Sequence, residues 1–194
     1  MDGQINKKGV TMRLKPQQTG YVAGKVAIDL ANAPFIRLPK GKDAIVEAVK
    51  AIIDENLQVE RALDEKVKAI IDENYDEIEF QHADERQLFF MIKKKMAAEH
   101  GVIMNYDDRY NDLSHAILDE LYENYLVEYE VNDNQIKNII FKAFKAFADS
   151  FDEIDDIVYK KIRNMEREVI PGSQDYELLY ERLYQEELSR RGML

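Results

Sequence analysis

From Ile45 to Ile71 apolar side chains return every three or four residues, at Ile45, Val49, Ile52, Ile53, Leu57, Leu63, Val67, Ile70 and Ile71. At 100° per residue these positions fall on one stripe, which predicts an amphipathic helix. Inside it the octapeptide VKAIIDEN occurs twice, at 49–56 and 67–74. An offset of 18 residues is five turns of an α-helix, so both copies show the same face to the same side. Leu57 and Leu63 keep phase across the join. The pattern predicts one helix over 43–74, or two nearly coaxial ones, up to about 48 Å long at 1.5 Å per residue. Asp43 reads as the N-cap, with Glu47 in the first turn or so. The stripe drifts from a strict heptad; an ordinary core-facing helix is the reading, with a coiled-coil seam to a partner chain as the alternative.

A larger repetition encloses this one. Shifted by 91 residues without a gap, the chain superposes its apolar positions on themselves: Val22, Val26 and Leu30 meet Leu113, Ile117 and Leu121, and Phe35, Ile36 and Leu38 meet Leu126, Val127 and Tyr129. Ile45, Val49 and Ile53 meet Ile136, Ile140 and Phe144; Leu63, Val67 and Ile71 meet Ile154, Val158 and Ile162; Leu88, Phe89 and Ile92 meet Leu179, Tyr180 and Leu183; Gly101 meets Gly192. Identities differ while the hydrophobic mask persists, so the chain reads as two copies of one unit of roughly 90 residues. The mask has a mismatch inside the long helices. Glu60 stands where its counterpart is Phe151.

Each unit predicts a first helix (16–33 and 107–125), a short alternating segment (FIRLP and LVEYEV), a long helix (43–74 and 134–166) and a final helix (84–99 and 174–191). Asn132 to Asn134 supply cap residues for the second long helix. In VIPGSQD, Pro171 and Gly172 stop the chain and Ser173 caps the final helix. Copy one has IEFQHAD there, without Pro or Gly. Gly101 and Gly192 stand where a helix C-terminus favours a left-handed residue. The two short strands are expected to pair, tying the units around a local twofold, and must lie on helices because a lone ribbon is marginal. The fold class is therefore mainly α, with repeat unit 1 over 12–101 and repeat unit 2 over 102–194. Residues 1–11 are expected to be a disordered extension.

Composition narrows the uses. The 194 residues are 45% apolar with only 8 Gly and 4 Pro, which suits packed helices. There is no cysteine, which removes thiolate zinc sites, disulfides and cysteine nucleophiles. No apolar run approaches the about 20 residues of a membrane span. No secretory pattern comes after the first charges, so the cytoplasm is the default location. The net charge of −11 argues against a phosphate backbone as partner. The charge is uneven: residues 102–194 hold 21 Asp+Glu against 11 Lys+Arg, while residues 1–101 hold 17 against 16.

The tail VIPGSQDYELLYERLYQEELSRRG, preceded by SFDEIDDIVYKKI, resembles the bacterial family catalogued as domain of unknown function 507. The likeness covers 105–192, and the first copy shares the mask and the start MRL. It implies a small helical bacterial cytoplasmic protein without an established activity, and it brings no catalytic residues.

Four constellations are candidates for chemistry. Glu79 with His82, and Asp112 with His115, have the i, i+3 spacing used by carboxylate-bridged di-metal bundles. The two pairs do not correspond under the 91-residue shift, and among 38 acids such spacing arises by chance, so no metal or other cofactor is assigned. His100, beside Gly101, reads as a helix C-terminal residue. In FFMIKKKM, Lys93, Lys94 and Lys95 beside two phenylalanines form a possible basic patch for nucleic acid, with Arg13, Lys15, Lys40 and Lys42. The competing and preferred reading is that Leu88, Phe89, Ile92 and Met96 make a buried stripe and the lysines face solvent. Nine of 11 tyrosines lie in the acidic half. Tyr176 and Tyr184 flank Tyr180 at four-residue spacing, and Tyr106 and Tyr110 open copy two; partly exposed, these four would suit a protein interface. No phosphate-cradling glycine loop and no nucleophile elbow occur. The sequence thus points away from catalysis and toward an acidic protein–protein interaction or assembly module, with a protein partner or self-association. A nucleic-acid-associated protein is the alternative.

Overall fold

The computed structural model describes residues 14–80, 84–165, 169–171 and 173–193. The extension expected over 1–11, together with His82 and Gly172, lies outside them. The described chain is built from α1 (Thr19–Ala31), β1 (Ile36–Arg37), α2 (Gly41–Glu73), α3 (Tyr75–Phe80), α4 (Glu85–Met96), α5 (Tyr106–Glu123), β2 (Glu128–Tyr129), α6 (Asp133–Arg163) and α7 (Gln174–Arg190), with 3-10 turns at Pro16–Gln18 and Ala98–His100. The mainly α class stands. The order helix, strand, long helix, final helix occurs in both halves, and in the first half the short α3 follows the long helix, where IEFQHAD stands in place of the Pro-Gly-Ser turn.

The twice-written octapeptide lies in one continuous helix of 33 residues. Its stripe is inward: Ile45, Val49, Ile53, Leu63, Val67 and Ile71 are buried, as are Ile136, Ile140, Phe144, Ile154, Val158 and Ile162 on α6. Asp43 is in the first turn of α2 and not at its N-cap, which is Lys40 without a capping bond. A helix that begins at Gly41, two residues early, leaves Asp43 to act on the exposed amides and the dipole instead. The other caps fall where the side-chain chemistry puts them. Asn132 accepts from the Asn134 amide at 2.8 Å, and Ser173 accepts from the Tyr176 amide at 3.2 Å.

Helix α1 packs on both α2 and α6, and α5 packs on both α6 and α2. These four make the body of the molecule. The strands pair antiparallel, Ile36 facing Tyr129 and Arg37 facing Glu128. Arg37 and Glu128 stand 91 residues apart, the offset at which the mask repeats. Opposite charges directly across a pair favour that register. Ile36, Leu126 and Val127 anchor the ribbon in the core, and Lys40 donates to the Asn124 carbonyl at 2.9 Å. The second half of each long helix carries a final helix, α4 on α2 and α7 on α6.

Three helical segments end in the same backbone motif. The amides of Val102, Leu126 and Met193 reach back to the carbonyls of Ala97, Leu121 and Leu188, which needs a left-handed residue just before each amide. Gly101 (φ 69°) and Gly192 (φ 68°) meet that need freely, whereas the third place holds Tyr125 at φ 54°. A side chain there costs about 1–2 kcal/mol relative to glycine. The Tyr125 ring, 76% exposed, recovers little of it by burial. Tyr125→Gly should therefore stabilise the protein by about 0.5–1 kcal/mol after the extra entropy of an unfolded glycine, read as a higher urea midpoint at unchanged slope.

Candidate functional site

The mismatch of Glu60 with Phe151 has a structural reason. Asn56, Glu60 and Asp64 recur four apart along α2, and the side chains of Lys93 from α4 and Arg109 from α5 close on them. Lys93 Nζ lies 2.7 Å from Glu60 Oε1 and 2.6 Å from Asp64 Oδ1, and Arg109 Nη1 lies 2.6 Å from Glu60 Oε2. The Arg109 guanidinium also donates to Asn56 Oδ1 at 2.7 Å and to the Asn56 carbonyl at 3.3 Å. The Lys93 side chain is 0% exposed, Arg109 4% and Glu60 10%. Two cations thus face two carboxylates in an almost closed interior. Burial alone would push the Glu60 carboxyl up, but the Arg109 and Lys93 charges and their hydrogen bonds outweigh it and hold the group below its usual range.

This network divides the apolar interior. On one side is the main cluster, which runs through α1, α5, α6 and α7 and takes Ile45, Val49 and Ile53 from α2. On the other is a small cluster of five buried residues, Leu63, Val67, Ile71, Ala97 and Val102. The positions 91 residues away are filled differently. Phe151, opposite number of Glu60, packs edge-on against Phe147 with ring centroids 5.0 Å apart and belongs to the main cluster. Tyr184, opposite number of Lys93, stacks on Tyr180, and Gln18, opposite number of Arg109, donates to the Met193 carbonyl at 3.1 Å. The Tyr180 hydroxyl donates to Asp155; burial and that bond both push its ionisation up.

The expected basic patch is corrected at its centre. Lys93 does not face solvent; four residues after Phe89, it lies on the inward side of α4, where two carboxylates meet it. Leu88, Phe89, Ile92 and Met96 are half-buried against the small cluster, and Lys94 and Lys95 are exposed. The tyrosine surface also shifts. Tyr110 is core, 2% exposed and stacked 5.3 Å from Phe144, because it continues the stripe of α5 one turn before Leu113. Tyr106 is half-buried and stacks on Tyr110; Tyr176 and Tyr184 are half-buried against the main cluster. Asp112 and His115 are both exposed, with His115 Nε2 3.1 Å from Lys137 Nζ. Glu79 is exposed as well, and among the described residues no cluster of three His, Asp or Glu side chains could hold a metal.

Large apolar side chains reach solvent singly at several places, Phe80 and Met91 among them, and beside a groove at the far end of the second half. Tyr159, Met165, Ile170 (71% exposed) and Leu178 (64%) stand out of the surface there. Between them an open groove of about 470 Å³ is lined by Met165, Val169, Leu178 and Leu179, with Asp175 and Arg182 at its polar edge. Leu178 and Ile170 fall outside the tyrosine pattern on which the expected surface rests. The mask places Leu178 beside Leu179 and outside the α7 stripe, but a single exposed leucine is ordinary and does not mark a surface.

With this geometry in place, comparison with known proteins adds a family. A family model described as Protein of unknown function (DUF507) matches residues 12–193. No curated protein matches. Among the described residues no helix is long and apolar enough to cross a membrane.

The network leads to two expected outcomes. Glu60→Ala leaves two buried cations short of a partner and should cost about 3–5 kcal/mol in urea denaturation. The triple change Glu60→Phe, Lys93→Tyr, Arg109→Gln, which installs the residues found 91 positions away, should cost less than Glu60→Ala alone. The second outcome concerns pH. A carboxyl whose folded-state value is depressed adds stability above its unfolded value and loses it as pH falls through the folded one. The stability gap between the wild type and Glu60→Gln should therefore be full near neutrality and shrink below about pH 4.5, the ordinary value of the group, as measured by urea midpoints across that range.

Proposed function

Because the chain belongs to this family of unknown function, which lends it no activity, we propose from its own geometry that it acts by binding a protein and not by catalysis. We read it as two copies of one helical unit joined at the ribbon, the second copy carrying the contact surface. The observation that carries this is the exposed apolar end of α6 and α7, where Ile170 and Leu178 stand in water beside a groove. Exposed apolar residues gathered around a concavity and rimmed by charge are characteristic of protein contact sites. The wider acidity of this half favours a partner whose contact face is apolar with basic edges.

Two features weigh against the rival readings. The most reactive-looking group inside, Lys93, is 0% exposed and held by its own carboxylates, which weighs against its meeting a substrate. The same burial removes it from any phosphate-binding surface and leaves Lys94 and Lys95 as an exposed pair within a chain of net charge −11.

The full chain, immobilised through its N-terminus, should retain a stoichiometric protein partner from its own cell extract, its retention lost on Leu178→Glu and kept on Lys94→Glu with Lys95→Glu. Loss with the lysine pair and retention with Leu178→Glu would reverse the assignment.

A further inference from the structure

The groove at the α6–α7 end has a charge pattern with a symmetry of its own. Along one face of α7 run Asp175, Leu178, Leu179 and Arg182, all lining the groove. An acid, two leucines and a base succeed one another in that order, and the midpoint of Asp175 and Arg182 is also the midpoint of Leu178 and Leu179. Two such helices laid antiparallel across a twofold axis at that midpoint would set each Asp175 against the other Arg182. Each Leu178 would then meet a Leu179. We infer that a second copy of this chain seats on the groove, forming an isologous dimer through α7 (an inference resting on the reading of this surface as a binding surface).

Three further facts fit that occupant. An isologous contact requires one patch to be complementary to itself, and a single-sign or purely apolar patch lacks the alternation found here. Arg182 is already near Glu186, at 3.8 Å, but both side chains are more than half exposed. Such a pair is worth roughly 0–1 kcal/mol and gives way readily to a contact removed from water. Beyond the leucines, Met165 and Ile170 stand exposed at the N-terminal edge of the groove. They widen the contact toward the roughly 800 Å² a side that stable interfaces bury. The partner's Arg182 would lie toward that edge, its stem over the apolar surface and its charge at the partner-facing Asp175.

Sedimentation equilibrium of the full chain over a wide concentration range tests this directly. A reversible monomer–dimer equilibrium is expected, and Leu178→Glu should shift it to monomer. Asp175→Arg and Arg182→Asp, each alone, place like charges across the axis and should weaken the dimer about tenfold or more. Mixing those two single variants pairs opposite charges again and should restore dimer as a heterodimer, as should the double change in one chain. The rescue separates a contact at the axis from damage to the start of α7, which Asp175→Arg alone could cause. A wild type that stays monomeric, or a dimer indifferent to the reversals, overturns the inference. If such a monomer still retains a foreign protein in a manner lost on Leu178→Glu, self-association fails while the binding reading stands; if it retains none, both fail.

Discussion

The molecule is organised around one carboxylate that stands on an apolar stripe. Glu60 takes a position that the helical period turns inward, and an isolated charge there would cost several kcal/mol. It is tolerated because α4 and α5 each bring a cation to it. Lys93 has its full side chain withdrawn from water to do so, and Asp64 and Asn56 satisfy what Glu60 leaves over. The three helices are thereby fixed in register relative to one another. An apolar contact tolerates a slide of an ångström; a guanidinium spanning a carboxylate and an amide does not. Arg109 is also one of the points at which the second half of the chain grips the first, beside the ribbon and the packing of α1 on α6.

The two halves reach comparable layouts with opposite interiors at this level. Around Phe151 the core is continuous, and Leu183 and Leu188 of α7 share it with α1 and α5. Around Glu60 the core is interrupted, and α4 rests on a separate cluster of five buried residues. Net stabilisation from a buried ion pair is small compared with well-packed side chains of the same volume. The ionic half therefore owes its arrangement more to directionality than to burial. Local opening draws on the least apolar contact, so α3 and α4 are the elements nearest to independent motion. Helix α7, held by the main cluster, is the steadier platform for a contact surface.

How much of this the sequence discloses differs by feature. The long helices, the pairing of the strands, the caps at Asn132 and Ser173 and the left-handed glycines are all legible, because each depends on local chemistry or on a period. The mismatch of Glu60 with Phe151 is legible as an anomaly only. Its explanation needs Lys93 and Arg109, which are 33 and 49 residues away, and no local rule marks a lysine in a KKK run as the buried one. The phase of Phe89 carries that information, but a run of three lysines reads first as a solvated face. Tyr110 reads as surface for the complementary reason: tyrosine is at home in both places, and only its stacking on Phe144 decides. Leu178 gives no signal by itself because an exposed leucine is ordinary singly. It becomes informative only beside Ile170, Met165 and a groove, which tertiary structure alone brings together.

The division between the halves bears on what the chain is suited to do. A buried charge network that uses up Glu60, Asp64, Lys93 and Arg109 commits these groups to holding α2, α4 and α5 together. The second half solves the same packing problem with aromatic rings. Among its carboxylates, Glu187, buried on α7, is held by Lys161 and Arg190, and Asp155 by Tyr180, while most others are left to the surface, and its apolar residues spill past the end of the core at Ile170 and Leu178. Exposed apolar surface is a hazard that a monomer has no reason to keep, and it becomes an asset once covered. Helix α7 holds Asp175, Leu178, Leu179 and Arg182 of the groove in fixed relation, which limits the entropy lost when a partner binds. The asymmetry therefore places the directional, self-satisfied chemistry where the fold needs registration, and the unsatisfied apolar surface where contact with another chain is possible.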